Sequence, residues 1–452
     1  MAEKIGRLII AGAGTGKTYT MAHDIVSYLK NSNSSKKIYA ITFTNSAKQN
    51  IIDEVYEILK YYPTNLEIST IHSFLLNNII FPFSSFSINE IYSECSIANL
   101  PDNPQFRNSK IKQYKENKII HSDVVVEKSR LIFCDRPTDS KKIKSKKKIV
   151  REHFYSDCEA IFIDEAQDMD KDFFDLIVQI RLDKLYTYIV GDVNQAVRKV
   201  GEFDAFINEF QHLYNVEINS QSRRCPLKHL QLSNNFIDVH YHQSSMSKIE
   251  GELYYLFESD SNFSFIFTKK NGLKFIRQKY GGFDTRSYSS ESIEFIKPIE
   301  NYLYLLGGDI DARRYELTQK ILNFKNNGNS DQTIMNWLIK TAGISFDKKE
   351  YAIMISHISS VPIEKENSII SVEKVKGLGN ETCFFVLDNT MYKRLIDLKK
   401  IDDKINNQLY VALTRSKDEL IFVIPKDLEN KHGKLSITDS LKKLSITEYK
   451  IG

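Results

Sequence analysis

Strand-length apolar runs alternate with longer amphipathic stretches through the first part of this chain. Runs at 7–10, 38–43, 66–70, 160–163 and 186–190 read as strands, with helices at about 18–29 and 46–60 following the first two. Short apolar strands interleaved with helices predict a parallel sheet covered on both faces, an α/β architecture. Ligands of such sheets bind at the C-terminal strand ends. The regularity breaks between about 84 and 150, where Asn, Ser and Pro punctuate the chain and lysines then accumulate. A second α/β pattern starts near 218 and resumes with strands at 367–372, 382–387 and 420–424. Between about 271 and 350 the pattern is mainly helical. There are no internal repeats or low-complexity linkers.

The length of 452 residues exceeds what one core accommodates and implies two to four domains. Hydrophobic residues at 42% and charged ones at 27% are those of an ordinary globular chain. A net charge of +4 permits nucleic-acid binding without demanding it. Cys95, Cys134, Cys158, Cys225 and Cys383 are scattered, which suggests reduced, structural thiols. No apolar run approaches the ~20 residues of a membrane span, and no signal peptide is visible at the start. A cytoplasmic protein with no membrane association is therefore expected.

The chemistry concentrates at two strand ends. The first strand runs into Ala11, Gly12, Ala13, Gly14, Thr15, Gly16, Lys17 and Thr18, a phosphate-cradling loop that opens a helix. Lys17 is expected to reach the β- and γ-phosphates, and the Thr18 hydroxyl to hold Mg²⁺. The small Ala11 stands where the strict pattern has Gly. Downstream, the apolar run at 160–163 ends in Asp164 and Glu165. Asp164 is placed to bind Mg²⁺ through a water, and Glu165 to orient or deprotonate the attacking water. Together the two motifs predict an NTP hydrolase using ATP and Mg²⁺.

With Thr42-Phe-Thr-Asn-Ser-Ala47, Thr70-Ile-His-Ser-Phe74, Asp164-Glu-Ala-Gln-Asp168, Gly191-Asp-Val-Asn-Gln-Ala-Val197, Arg223-Arg-Cys-Pro226, Ser371-Val-Glu-Lys-Val-Lys-Gly-Leu378 and Leu409-Tyr-Val-Ala-Leu-Thr-Arg-Ser416 in order, the chain resembles the UvrD/Rep/PcrA class of superfamily 1 helicases. The resemblance implies two RecA-like phosphate-loop domains with ATP at their interface, each carrying a small, largely helical insertion. It implies a first domain at 1–84 and 150–217 with an insertion at 85–149. The second domain would occupy 218–270 and 351–452, with a reduced insertion at 271–350. Gln195 would sense the γ-phosphate, and Arg224 and Arg415 would stabilise charge on the transferring phosphoryl group. Thr42, Phe43, Thr44, Asn45, Thr70, His72, Phe74, Ser371 and Lys376 would meet single-stranded or tailed DNA, with Phe43 and Phe74 stacking on bases. The class implies 3′→5′ movement.

Departures accompany the likeness. Ten residues precede Ala11 and none is Gln, so weaker discrimination between ATP and GTP is expected. Glu373 and Gly379 stand where the class has His and Glu, with Glu381 a nearby substitute. The compact layout further resembles the helicase-like subunits of Gabija anti-phage systems, which implies an OLD-family, Toprim-type nuclease partner. A competing expectation is a sensing subunit that uses hydrolysis to license such a nuclease without processive unwinding. The lysines at 141–148 read either as a DNA-tracking stretch or as a solvated charged loop. His240 and His242 read as surface residues, Trp337 as helix packing, and Tyr19 as either base stacking or helix packing.

Overall fold

The computed structural model describes residues 6–450 apart from 99, 102, 284–294, 306–309, 327–328, 361–368, 377 and 399–403. Two six-stranded, fully parallel sheets organise the described residues. In the first, the strands lie in the order Leu66–Thr70, Lys37–Thr42, Cys158–Ile163, Tyr186–Gly191, Gly6–Ala11 and Asn215–Asn219. Alternate positions serve opposite faces, as the two-residue period of a strand requires. Ile9, Ala11, Ile38, Ala40, Phe162 and Val190 enter one core, while Leu8, Ile10, Ile41, Ile161, Ile163 and Ile189 enter another. Helices Lys17–Asn31 and Asn45–Leu59 cover the sheet, the second capped by the Thr44 side chain accepting from the Ala47 N–H.

The second sheet has the order Ile370–Ser371, Leu273–Ile276, Asn380–Val386, Ser416–Ile424, Glu252–Phe257 and Thr447–Glu448. Its strands alternate in the same way between two cores. The α/β class and the two-sheet plan expected from the sequence are therefore observed.

Several boundaries differ from the sequence reading. The first sheet continues through Asn219, because Asn215–Asn219 pairs with Gly6–Ala11 along its whole length. A division at 217/218 would cut that strand. Leu273–Ile276 is a strand inside the second sheet, paired with Asn380–Val386, and so is not part of a helical insertion. Helices Lys297–Leu305, Ile310–Asn326, Asp331–Ala342 and Lys348–Ser360 follow, around a small core of their own. Trp337 packs there against Phe324 with ring centroids 4.8 Å apart. Of the strand expected at 367–372, Ile370–Ser371 is formed, and 367 and 368 lie outside the described residues.

The segment after Thr70 shares the core of the first sheet. Tyr92, Ile120, Ile132, Phe133 and Val150 join Ile163 and Ile177 in one cluster. Contrary to the expectation from the sequence, the helical run Ile71–Ile88 is long and apolar enough to cross a membrane by length and composition. Its Ile71, Phe74, Leu75, Ile79 and Ile80 are buried in that cluster, so it is a core helix. The lysine run lies on helix Lys141–Asp157, not on a loop. Lys147 is buried there, donating to Asp139 and to the Cys134 carbonyl, each at 2.6 Å.

Candidate functional site

The phosphate loop leaves its strand at Ala11 and enters helix Lys17–Asn31 at Lys17. Gly14 and Gly16 have φ of 72° and 84°, a region that costs other residues strain. At Gly14 space is also short: a Cβ would lie 2.6 Å from Ser222 Oγ and 2.9 Å from Arg224 Cβ. Lys17 Nζ donates to the Gly12 carbonyl at 3.2 Å and stands 4.0 Å from Asp192. The Thr18 hydroxyl donates to Asp164 at 2.8 Å. Strand Cys158–Ile163 delivers Asp164, and Glu165 follows with a φ of 54°. Such strain in a non-glycine residue persists where the surroundings impose it, commonly at reactive sites. Gln167 donates to the Glu165 carboxylate and accepts from the Asp192 N–H at 2.8 Å.

Charges here are buried and interdependent. Burial, then the Glu165 charge, raises the Asp164 carboxyl. Burial would raise Glu165 too, but Lys17, Lys376, the Gln167 hydrogen bond and Arg415 together outweigh it and hold that carboxylate low. Burial and the neighbouring Arg224 pull Arg415 down, although a guanidinium stays cationic at neutral pH. Arg415 is anchored by its Nε to the Val411 carbonyl at 2.9 Å and by Nη2 to Gln195 at 3.5 Å. Arg224 donates to the Thr414 carbonyl at 3.2 Å, leaving its Nε without a partner among the described residues.

One cavity of about 530 Å³ is lined from both halves of the chain. Gly14, Gly16, Lys17, Thr18, Glu165 and Gln195 come from the first, and Arg224, Lys374, Lys376 and Arg415 from the second. Tyr19 lines it as well, its ring tilted 48° against that of His23 and half exposed. Among the described residues no group of three or more His, Cys, Asp or Glu could cage a metal ion. A hydroxyl converging on a carboxylate suits Mg²⁺, which takes few protein ligands beside phosphate oxygens. The donor set fits a nucleotide–Mg²⁺ complex.

The residues expected to meet DNA divide into two groups. Phe43, Thr44, Asn45 and Lys376 line the same cavity, with Arg198 lying over the Phe43 ring at 5.4 Å. Lys376 bridges the halves through a 2.6 Å pair with Asp168. Thr42 and Phe74 are fully buried. Phe74 packs edge-on against Tyr39 and Phe154, so it cannot present a face to a base. Thr70 spends its hydroxyl capping helix Ile71–Leu75, while His72 and Ser371 are half-buried outside the cavity lining. Glu373 pairs with Lys404 at 2.8 Å, and Glu381 with Lys417 at 3.5 Å. His240 is exposed, as expected.

Three residues of the site went unremarked in the sequence. Asp192 sits inside the Gly191–Val197 block and Tyr410 inside the Leu409–Ser416 block, where other residues drew attention. Gln243 belongs to no motif, yet its amide pairs with both backbone atoms of Ala13, accepting at 3.2 Å and donating at 3.0 Å. Only the folded chain brings it there.

Comparison with known proteins places these features in context. Residues 2–201 match the AAA domain family AAA_19. The Gabija protein GajB of Bacillus cereus (strain VD045) is 25% identical over 97% of this chain and 96% of its own length. The Arterivirus nonstructural protein 10 helicase is 9% identical with a TM-score of 0.38, covering 92% of this chain and 59% of that one. Its complex with DNA gives a TM-score of 0.37, over 94% and 62%. The chain thus spans about three fifths of those two structures.

Proposed function

We propose that this chain, similar to Gabija protein GajB and carrying an AAA_19 domain, is a UvrD/Rep-type, ATP- and Mg²⁺-dependent translocase moving 3′→5′ on single-stranded DNA. In this reading it works in anti-phage defence beside an OLD/Toprim-type nuclease. The observation that carries the reading is the cavity itself: phosphate loop and acids from one half meet Arg224 and Arg415 from the other. Lys17 would neutralise the β- and γ-phosphates, and Thr18 with Asp164 would hold Mg²⁺, which supplies charge neutralisation across those phosphates. Glu165 would take the proton of the attacking water. Arg224 and Arg415 would stabilise the charge on the transferring phosphoryl group, useful only while the halves are together, so turnover is tied to their relative motion. Phe43, Thr44 and Asn45, which line the same cavity, would feel that motion and pass it to DNA.

Streptavidin displacement from biotinylated single strands tests this reading. A 3′→5′ translocase strips streptavidin from a 5′ end and spares a 3′ end. Displacement from the 3′ end alone, or from neither, would contradict it. One observation favours a second reading: Lys376, in the DNA-gripping segment, is engaged by Asp168. A sensing ATPase that licenses a nuclease would displace from neither end, yet would change its partner's cleavage with nucleotide.

A further inference from the structure

We infer that Tyr410 and Gln243 form a positioning latch that ties the phosphate loop to the helix delivering Arg415. The inference rests on the proposed ATPase reading and concerns the control of that site. The Tyr410 hydroxyl accepts from the Ala13 N–H at 2.9 Å and lies 3.2 Å from the Asp192 carboxylate. It also donates toward the Gln243 side-chain oxygen. Asp192 accepts from Gln195 at 2.6 Å, and Gln195 meets Arg415 at 3.5 Å. Arg415 in turn donates to Thr414 Oγ1 at 3.2 Å, and Thr414 donates to the Tyr410 carbonyl at 2.8 Å. The contacts close a ring that crosses between the two halves. Tyr410, Asp192, Gln195, Gln243, Thr414 and Arg415 are each at most 5% exposed, so water cannot replace a lost member.

The ring contains a choice. A phenol has one proton, and here it faces two acceptors, Gln243 on the loop side and Asp192 on the sensor side. Lys17 stands 4.0 Å from that same Asp192 oxygen. When phosphates draw Lys17 away, Asp192 becomes the stronger acceptor and the Tyr410 proton turns toward it. Tyr410 lies on helix Lys404–Leu413, just ahead of Thr414 and Arg415. Loop occupancy is thereby reported to the arginine without Tyr410 or Gln243 touching nucleotide.

Tyr410→Phe and Gln243→Met remove the latch groups while keeping bulk. In full-length protein with saturating single-stranded DNA, each is expected to lower kcat about tenfold or more, with the Kd of a fluorescent ATP analogue within about threefold of wild type. The double variant should fall no further than the worse single one, because both act through one latch. Losses that multiply, kcat and affinity falling together, or kcat within about twofold of wild type in both would overturn the latch. If thermal melting shows Tyr410→Phe unfolded, Gln243→Met decides by the same split between kcat and affinity. Wild-type protein lacking Lys17-dependent turnover would instead overturn the ATPase reading, and the latch with it.

Discussion

Lys17 donates to the Ala11 and Gly12 carbonyls and faces Asp192, positions from which phosphate oxygens would recruit it. Lys17→Ala should abolish binding of a fluorescent ATP analogue. Glu165→Gln should keep that binding and lose on the order of 10²-fold or more in turnover, and a wild-type rate would remove Glu165 from the role of base. Arg415→Ala should bind nucleotide while slowing hydrolysis by about 10³-fold. The two phenylalanines that looked alike in sequence should now behave differently. Phe43→Ala is expected to weaken single-stranded DNA binding by about 1–3 kcal/mol with little loss of stability. Phe74→Ala should cost about 3–5 kcal/mol in urea unfolding, because it empties a packed core site. His229 offers a pH test. Burial pushes its imidazole down to about 4, below the ordinary value near 6.5. The unfolded chain therefore binds the extra proton between those values, and stability should fall as pH drops from about 6.5 to 4. Melting temperatures should fall less steeply over that range in His229→Gln.

Among the elements, inner strands such as Lys37–Thr42, Cys158–Ile163 and Ser416–Ile424 were legible because buried parallel strands are continuous apolar runs, whereas the largely exposed edge strand Asn215–Asn219 and the strand Glu252–Phe257 were not. The phosphate loop was legible because its glycines and lysine have few other uses. Helix Lys141–Asp157 was harder. Its inward position at 147 is a lysine, so the apolar stripe that would have announced a helix is interrupted by the residue type that usually marks solvent. That buried pair should matter accordingly. Lys147→Met leaves the Asp139 carboxylate with Arg136, itself half exposed, as its remaining cationic partner and is expected to cost no more than about 3–5 kcal/mol in urea unfolding. Lys148→Met, on the exposed side of the same helix, should stay within about 0.5 kcal/mol. Leu273–Ile276 escaped notice for another reason: it has four residues and no partner nearby in sequence, and its place is set by pairing with Asn380–Val386.

At the scale of the whole molecule, motif order made the two-domain plan readable, but it could not say which polar groups close the gap between the halves. Gln243 reaches Ala13 across 230 positions, a contact that only the assembled chain creates. The cavity shared by the two halves makes the central claim a coupling claim: nucleotide turnover should depend on what the DNA-facing residues hold. Steady-state ATP hydrolysis with and without single-stranded DNA, using Lys17→Ala as the blank, tests this most directly. The account predicts Lys17-dependent turnover that rises severalfold when single-stranded DNA is added. Lys17-dependent turnover indifferent to DNA would contradict it.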